Sequence, residues 1–296
     1  MSAPARHAEY PVRLAREVDL YLDGLRFSAE PSTAGLEQAM RYSLLAGGKR
    51  IRPVLALATA EALGRGQDEV MPLAAAIELI HTYSLIHDDL PAMDDDELRR
   101  GKPTCHVVYG EDVAILAGDG LFAEAIKLVL DRQRGEPAGV LRALRHLVAA
   151  IAVSGMVGGQ YVDVKETAPH DETGLRHLHE LKTGRLIAAS VECPLLLFGA
   201  GEAATMGLRR FAAELGVLFQ IVDDILDVTG DEAALGKPQG SDERHGKGTY
   251  VSVFGLDRAR ELARASHRNA RAALADAGGQ TATLEQITDY ILTRDT

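Results

Sequence analysis

Apolar residues recur along this chain at the spacing of helix faces and hardly ever in the alternation of strands. Between Leu208 and Val228 they fall at Phe211, Leu215, Leu218, Val222, Ile225 and Leu226, one stripe of an amphipathic helix. Comparable stripes cover residues 9–26, 34–46, 52–65, 69–88, 111–132, 138–155, 173–198, 257–276 and 283–293. Polar or glycine-containing segments separate many of them: GRGQ at 64–67, RGEP at 134–137, TAPHDET at 167–173, GAGEA at 199–203 and AGGQT at 277–281. The pattern predicts an all-α fold of about ten or more helices with no sheet. No low-complexity linker divides the chain, so a single domain over residues 1–296 is expected. The longest polar stretch, TGDEAALGKPQGSDERHGKGTY at 229–250, has the length of a functional or disordered loop.

Composition narrows the function. With 296 residues and 46% apolar content, a sizeable core is available. A net charge of −11 argues against a nucleic-acid binder. An anionic ligand would need local cations or metal ions to overcome that field. The two cysteines, Cys105 and Cys193, lie far apart and read as free buried thiols in a reducing compartment. The N-terminus has no apolar core of a secretory signal. No apolar run reaches the roughly 18 residues of a membrane span; the longest, around Leu147 to Val157, is broken by Ser154 and Gly155. A cytoplasmic protein without a membrane span is expected.

Two clusters of acids break the apolar pattern. FQIVDDILD places Asp223 and Asp227 at i and i+4 on one helix face, with Asp224 between them and Gln220 on the same stripe. SLIHDDLPAMDDDELRRGKP carries Asp88, Asp89 and Asp94 at the end of an apolar helix. Pro91 disfavours a helical Leu90, so that helix should end near Asp89, with Asp94 arriving from the next turn. Like charges among apolar residues are costly. Converging carboxylates call for a hard cation with oxygen ligands, and Mg²⁺ leaves coordination positions open for phosphate. The acids would hold Mg²⁺ and the Mg²⁺ a diphosphate, while Arg99 and Arg100 just beyond would grip phosphate oxygens.

Further cations fit the same ligand. GGKRIRP at 47–53 puts Lys49, Arg50 and Arg52 at the start of a helix, where anions are favoured. LKTGR supplies Lys182 and Thr183, and the long loop supplies Lys237 and Lys247. Glu78 and His81 form E-x-x-H, but a di-iron bundle needs that motif twice and there is no second copy. GGQYVD at 158–163 places Gln160 and Asp163 after a glycine pair, as a helix-packing contact or a polar one.

From GGKRIRP through both aspartate motifs, GGQYVD, LKTGRLI and LGKPQGSD to the tail YILTR, the chain resembles the trans-isoprenyl diphosphate synthases, the polyprenyl synthetase family. The likeness is greatest to its bacterial-type farnesyl diphosphate synthases; the first 25 residues match only loosely. The resemblance implies a helical bundle around a deep central cavity, usually a homodimer. It implies three Mg²⁺ (Mn²⁺ as a substitute) among Asp88, Asp89, Asp94, Asp223, Asp224 and Asp227. The allylic diphosphate would meet Arg99, Lys182, Thr183, Gln220, Lys237 and Lys247. Isopentenyl diphosphate would meet Lys49, Arg52, His81 and Arg100, with Arg50 beside that pocket. Asp88, Asp94, Asp223, Asp227, Lys182 and Lys247 would carry the chemistry, and released diphosphate would take the final proton. Tyr83, five residues before Asp88 and about 7–8 Å along the helix, is large enough to stop the growing prenyl tail, while Ser84 beside it is small. A fifteen-carbon product is therefore expected, with geranylgeranyl or geranyl diphosphate as alternatives. A class I terpene cyclase and a non-catalytic synthase subunit are weaker rivals, because DDILD is intact and no ligand is missing. Val251 stands where such chains commonly have proline.

Overall fold

Most of the apolar stripes become helices. The structure, a computed structural model, describes residues 10–165, 171–230 and 248–294. In order the helices are α1 (Val12–Gly24), α2 (Ala34–Leu44), α3 (Ile51–Ala62), α4 (Met71–Asp88), α5 (Cys105–Tyr109), α6 (Glu111–Arg132) and α7 (Pro137–Ile151). They continue with α8 (Met156–Val164), α9 (Glu172–His179), α10 (Arg185–Phe198), α11 (Glu202–Thr229), α12 (Tyr250–Phe254), α13 (Leu256–Ala277) and α14 (Ala282–Thr293). A π-helical stretch, Glu180–Gly184, joins α9 to α10.

The centre is α4, which is apolar all round and correspondingly enclosed: Leu73, Ile77, Leu79 and Ile80 are fully buried. It packs against α3 and α6, and α10 fills the space among α3, α7 and α11. On the far side α11 lies along α13. Truncating a residue such as Ile80 to alanine in this core would cost about 2–5 kcal/mol. The core thus holds α4 and α11, the two carriers of the acidic motifs, as rigid walls.

Four features depart from the periodicity reading. The short helices α5, α8 and α12 carry too few turns to show a stripe. The stripe at 138–155 stops as a helix at Ile151, because the backbone turns at 152–155 before the next helix begins at Met156. The apolar stretch Pro137–Val164 has the length and a mean hydropathy, 1.6, of a membrane-crossing segment; that turn leaves helices of 15 and 9 residues, short of the roughly 20 a span takes. The third is a small sheet where none was expected: Leu98–Arg99 pairs antiparallel with Lys102–Pro103. Its two-residue turn, Arg100–Gly101, has positive φ at both positions, 54° and 72°, the turn whose twist suits a hairpin. Finally, α12 begins normally despite Val251. The Ser252 N–H donates to Thr249 Oγ1 (3.0 Å) and the Thr249 N–H to Ser252 Oγ (2.9 Å), a reciprocal cap.

Candidate active site

Helix α4 runs out where the chemistry begins. Its last residue is Asp88, and the chain then turns so that the Asp94 N–H donates to the Asp88 carbonyl (2.9 Å). Tyr83, Ser84, His87 and Asp88 face a cavity of about 580 Å³. The hairpin that follows aims Arg99 and Arg100 into the same cavity. Arg99 Nε donates to Asp89 Oδ1 at 2.7 Å, so Asp89 is buried against the hairpin. Burial pushes the Asp89 carboxyl up, against the pull of Arg99. Arg100 donates to the Gly47 carbonyl and lies against Gly48, where an added Cβ would stand 2.4 Å from the guanidinium carbon. The glycine pair before α3 therefore makes room for an arginine delivered from the hairpin.

Beside the hairpin, the first turn of α3 supplies Arg52. Its Nη1 lies 3.3 Å from His81 Nε2, and both line the cavity. Burial pulls the Arg52 guanidinium down to about 10. Burial, then Arg52 and Arg100, hold His81 well below the ordinary histidine range, so its ring is neutral. Arg50 turns the other way, in a left-handed conformation (φ 52°). It is buried on Glu78 (2.7 Å), Asp19 (2.8 Å) and the Leu44 carbonyl (2.8 Å). Glu78 is thereby a structural partner of Arg50 rather than half of a metal motif with His81. Lys49 stands over the Tyr290 ring, 5.6 Å from its centroid, and is not on the cavity wall. Burial and the nearby Arg294 lower its ammonium.

The second acidic motif lies in the last two turns of a 28-residue helix, α11. Gln220 and Asp223 line the cavity, and Asp223 is 58% exposed. Asp224 and Asp227 are buried. Asp224 accepts from Gln220 Nε2 and from the Tyr250 N–H, each at 2.7 Å, tying the start of α12 to α11. Between these walls the π-helical stretch presents Lys182 and Thr183. Lys182 Nζ is held at 2.5 Å from Asp163 Oδ2 on α8. Gly159 makes that approach feasible, since a Cβ there would stand 2.3 Å from the Lys182 backbone nitrogen. The glycines of GGQYVD and its aspartate thus serve one contact.

Eleven of the sequence-predicted residues meet on one wall: Arg52, His81, Tyr83, Ser84, Asp88, Arg99, Arg100, Lys182, Thr183, Gln220 and Asp223. Lys49, Asp89, Asp94, Asp224 and Asp227 stand off it. Lys237 and Lys247 lie outside the described residues. Three contributors went unseen in the sequence. Asp163 was read as a contact without its lysine, Arg294 only as part of the tail motif, and Phe219 only as the first residue of FQIVDDILD. Their partners are 19, 71 and more residues distant, which no local pattern encodes. Away from the acids the wall is apolar, with Met93, Met156, Val157, Tyr161 and Val164. Tyr83 sits at the α4 side of it, edge-on to Phe122 at 5.3 Å between centroids.

The donor set fits Mg²⁺, though not as a ready-made cage. Among the described residues no three His, Cys, Asp or Glu side chains stand close enough to hold one ion. Asp88 and Asp223 reach the cavity singly, which suits an ion that takes one or two carboxylates and fills its remaining positions from phosphate and water.

Comparison with known proteins agrees with this architecture. The polyprenyl synthetase family model matches residues 33–291. Farnesyl diphosphate synthase of Geobacillus stearothermophilus is 46% identical over 265 residues, covering 88% of this chain and 89% of its own. The chloroplastic geranylgeranyl pyrophosphate synthase of Capsicum annuum is 44% identical over 290 residues, covering 97% and 78%. Among solved structures, the geranyltransferase of Helicobacter pylori complexed with magnesium and isoprenyl diphosphate superposes with a TM-score of 0.84 at 33% identity, covering 99% and 97%. With the family model spanning most of its length, the chain belongs to the polyprenyl synthetase family.

Proposed function

We propose that the protein is a cytoplasmic, homodimeric, single-domain prenyltransferase without a membrane span. It condenses isopentenyl diphosphate head to tail with dimethylallyl and then geranyl diphosphate, giving farnesyl diphosphate and diphosphate. The observation that carries this reading is one cavity whose wall holds two unlike polar groups, the carboxylates Asp88 and Asp223 with Lys182, and the bases Arg52, Arg100 and His81, together with an apolar stretch. A terpene cyclase has one diphosphate to bind and no use for the second cation group.

The carboxylates Asp88, Asp94, Asp223 and Asp227 serve Mg²⁺, three ions in this reading with Mn²⁺ as a substitute; bound Mg²⁺ neutralises the allylic diphosphate and eases its departure. Asp89 and Asp224 act through the hairpin and α12 that they hold. Lys182, Thr183, Arg99 and Gln220 orient that diphosphate, with Lys237 and Lys247 assigned to the same task. Lys49, Arg52, Arg100 and neutral His81 hold isopentenyl diphosphate so that its double bond reaches the allylic carbon. Tyr83 closes the tail's path after fifteen carbons. Ser84 beside it is small, and that favours a geranylgeranyl product as the second reading, in keeping with the Capsicum relative. Purified protein with Mg²⁺, dimethylallyl diphosphate and labelled isopentenyl diphosphate should give mainly fifteen-carbon product. Mainly twenty-carbon product selects the second reading, and no condensation rejects both.

A further inference from the structure

The π-helical stretch that presents Lys182 and Thr183 meets α11 at two levels. At one, a Cβ added to Gly216 would stand 3.2 Å from the Gly184 Cα. At the other, His179, the last residue of α9, reaches the second acidic motif: its Nε2 lies 3.8 Å from Asp224 Oδ2. The same oxygen accepts from the Tyr250 N–H at 2.7 Å. The His179 ring stacks on the Tyr250 ring, with 5.5 Å between centroids and 20° between planes. One imidazole thus sits where α9, α11 and α12 meet, three residues before Lys182. His179 is not on the wall of the main cavity. It lines a second cavity of about 240 Å³, with Gly184, Gly216 and Tyr250, which shares no lining residue with the first. Its Nε2 is buried without a hydrogen-bond partner, since 3.8 Å is too long for one. A buried group left unsatisfied in this way costs about 1–3 kcal/mol. Burial also pulls the ring down to about 4, so it is neutral and can offer an N–H to a carboxylate without adding a charge. A shift of about 1 Å would close the gap to a hydrogen bond.

We propose that His179 is a positioning residue for the allylic site, whose Nε2–H bonds Asp224 in the ligand-bound protein and so fixes the second acidic motif against the segment that bears Lys182. This rests on the prenyltransferase reading above. Gln220 ties Asp224 to its own helix and the Tyr250 N–H ties it to α12. His179 is the tie to the π-helical stretch. Asp223 and Lys182 come from different elements and are assigned to one diphosphate, so their spacing has to be set by something that touches both elements. His179 touches no substrate, and its effect reaches the diphosphate through Asp224 and Lys182.

The test is calorimetric binding, not turnover, with Tm of the metal-free protein recorded alongside. Three variants separate the ring from its nitrogen. His179→Phe keeps a ring for Tyr250 and deletes the N–H. His179→Gln keeps an N–H at similar reach and deletes the stack. His179→Ala removes both. With Mg²⁺ present, His179→Phe should weaken binding of a non-ionising allylic thiolodiphosphate about five- to tenfold, while Tm and the affinity for isopentenyl diphosphate are kept. His179→Gln should recover most of the allylic affinity although its Tm falls, and His179→Ala should lose both. Wild-type allylic affinity in His179→Phe would overturn the proposal, because a ring that only packs predicts that result. Equal weakening of both ligands would overturn it too, as would an allylic loss in His179→Gln as large as in His179→Phe. Should His179→Phe fail to fold, His179→Gln and His179→Ala decide the matter: equal allylic affinities in those two overturn the proposal. Failure of the wild type to bind the thiolodiphosphate with Mg²⁺ would instead reject the underlying prenyltransferase reading.

Discussion

The two acidic motifs look alike in sequence and are built on different ground. The first is a helix end. Asp88 closes α4, where the helix dipole already disfavours negative charge, and Pro91 and the hairpin take the chain away. The second lies in the last two turns of α11, where the helix runs unbroken through all three aspartates to Thr229. Both nevertheless divide their labour in the same way. The leading aspartate, Asp88 or Asp223, faces the cavity. The next one, Asp89 or Asp224, is buried and holds another segment: Asp89 the hairpin through Arg99, Asp224 the start of α12 through the Tyr250 N–H. An acidic cluster here is half cavity wall and half fastener.

The sharpest way to break this comparison is to alter the leading residues. Asp88→Ala or Asp223→Ala should lower turnover at least about a hundredfold, with Tm in the metal-free protein kept or raised in Asp88→Ala and lowered only slightly in Asp223→Ala, which unpairs Arg294. EDTA should abolish turnover in the wild type and Mg²⁺ should restore it. A Tm collapse in either variant would make the leading residues fasteners too. The following residues should respond in the opposite way. Asp89→Ala leaves Arg99 with Asp96 at 3.5 Å as its remaining carboxylate, at about 1–2 kcal/mol. Asp224→Ala leaves a buried N–H without its acceptor, at about 1–3 kcal/mol. Both losses should appear as a depressed melting temperature before any metal is added.

Next in size is the contrast between the cavity's two polar groups, the acids with Lys182 and the bases Arg52, Arg100 and His81. Arg52→Ala should raise KM for isopentenyl diphosphate about tenfold more than for the allylic substrate, and Lys182→Ala should show the reverse bias. Equal effects would merge the two groups into one site. At the apolar wall, Tyr83→Ala should shift the main product to twenty carbons or more, resolved by chromatography of the hydrolysed prenols. An unchanged product would place the floor elsewhere. The smallest effect is the pH response of His81. Its ring is held neutral in the folded protein but takes a proton near pH 6.5 when unfolded. The unfolded state then binds more protons, so stability falls as pH drops below about 6.5. His81→Gln should flatten part of that slope in denaturant titrations between pH 7 and 5.

Why much of this was legible, and some was not, follows from range. Long helices show themselves through periodicity, and the end of α4 shows itself through Pro91. The arginine pair Arg99 and Arg100 was visible as charge; the turn that aims it depends on a left-handed Arg100, a conformation residue type alone does not announce. GGQYVD was seen as a glycine contact, but its meaning required knowing that Lys182 sits 2.5 Å from Asp163. Arg50 and Arg52 are near neighbours in one basic motif, yet one braces the scaffold against Glu78 and the other faces the cavity. Only the three-dimensional neighbours separate them.

The π-helical stretch at Glu180–Gly184 sets a limit on how this chain can vary in length. The Arg185 N–H reaches back five residues to the Glu180 carbonyl, so the segment holds one residue more than an α-helix of the same span. That surplus residue is a phase offset between α9 and α10. Deleting any one residue there would restore an unbroken helix and rotate everything before it by about 100° relative to α10. Lys182 would swing off the cavity while α10 stayed in the core. Insertions and deletions in the exposed residues 134–136, beyond the buried Gln133, fall between two helices and shift no phase within one. Among relatives that retain the reaction, the count of residues between Asp163 and Arg185 should therefore vary only where the surplus residue itself is preserved.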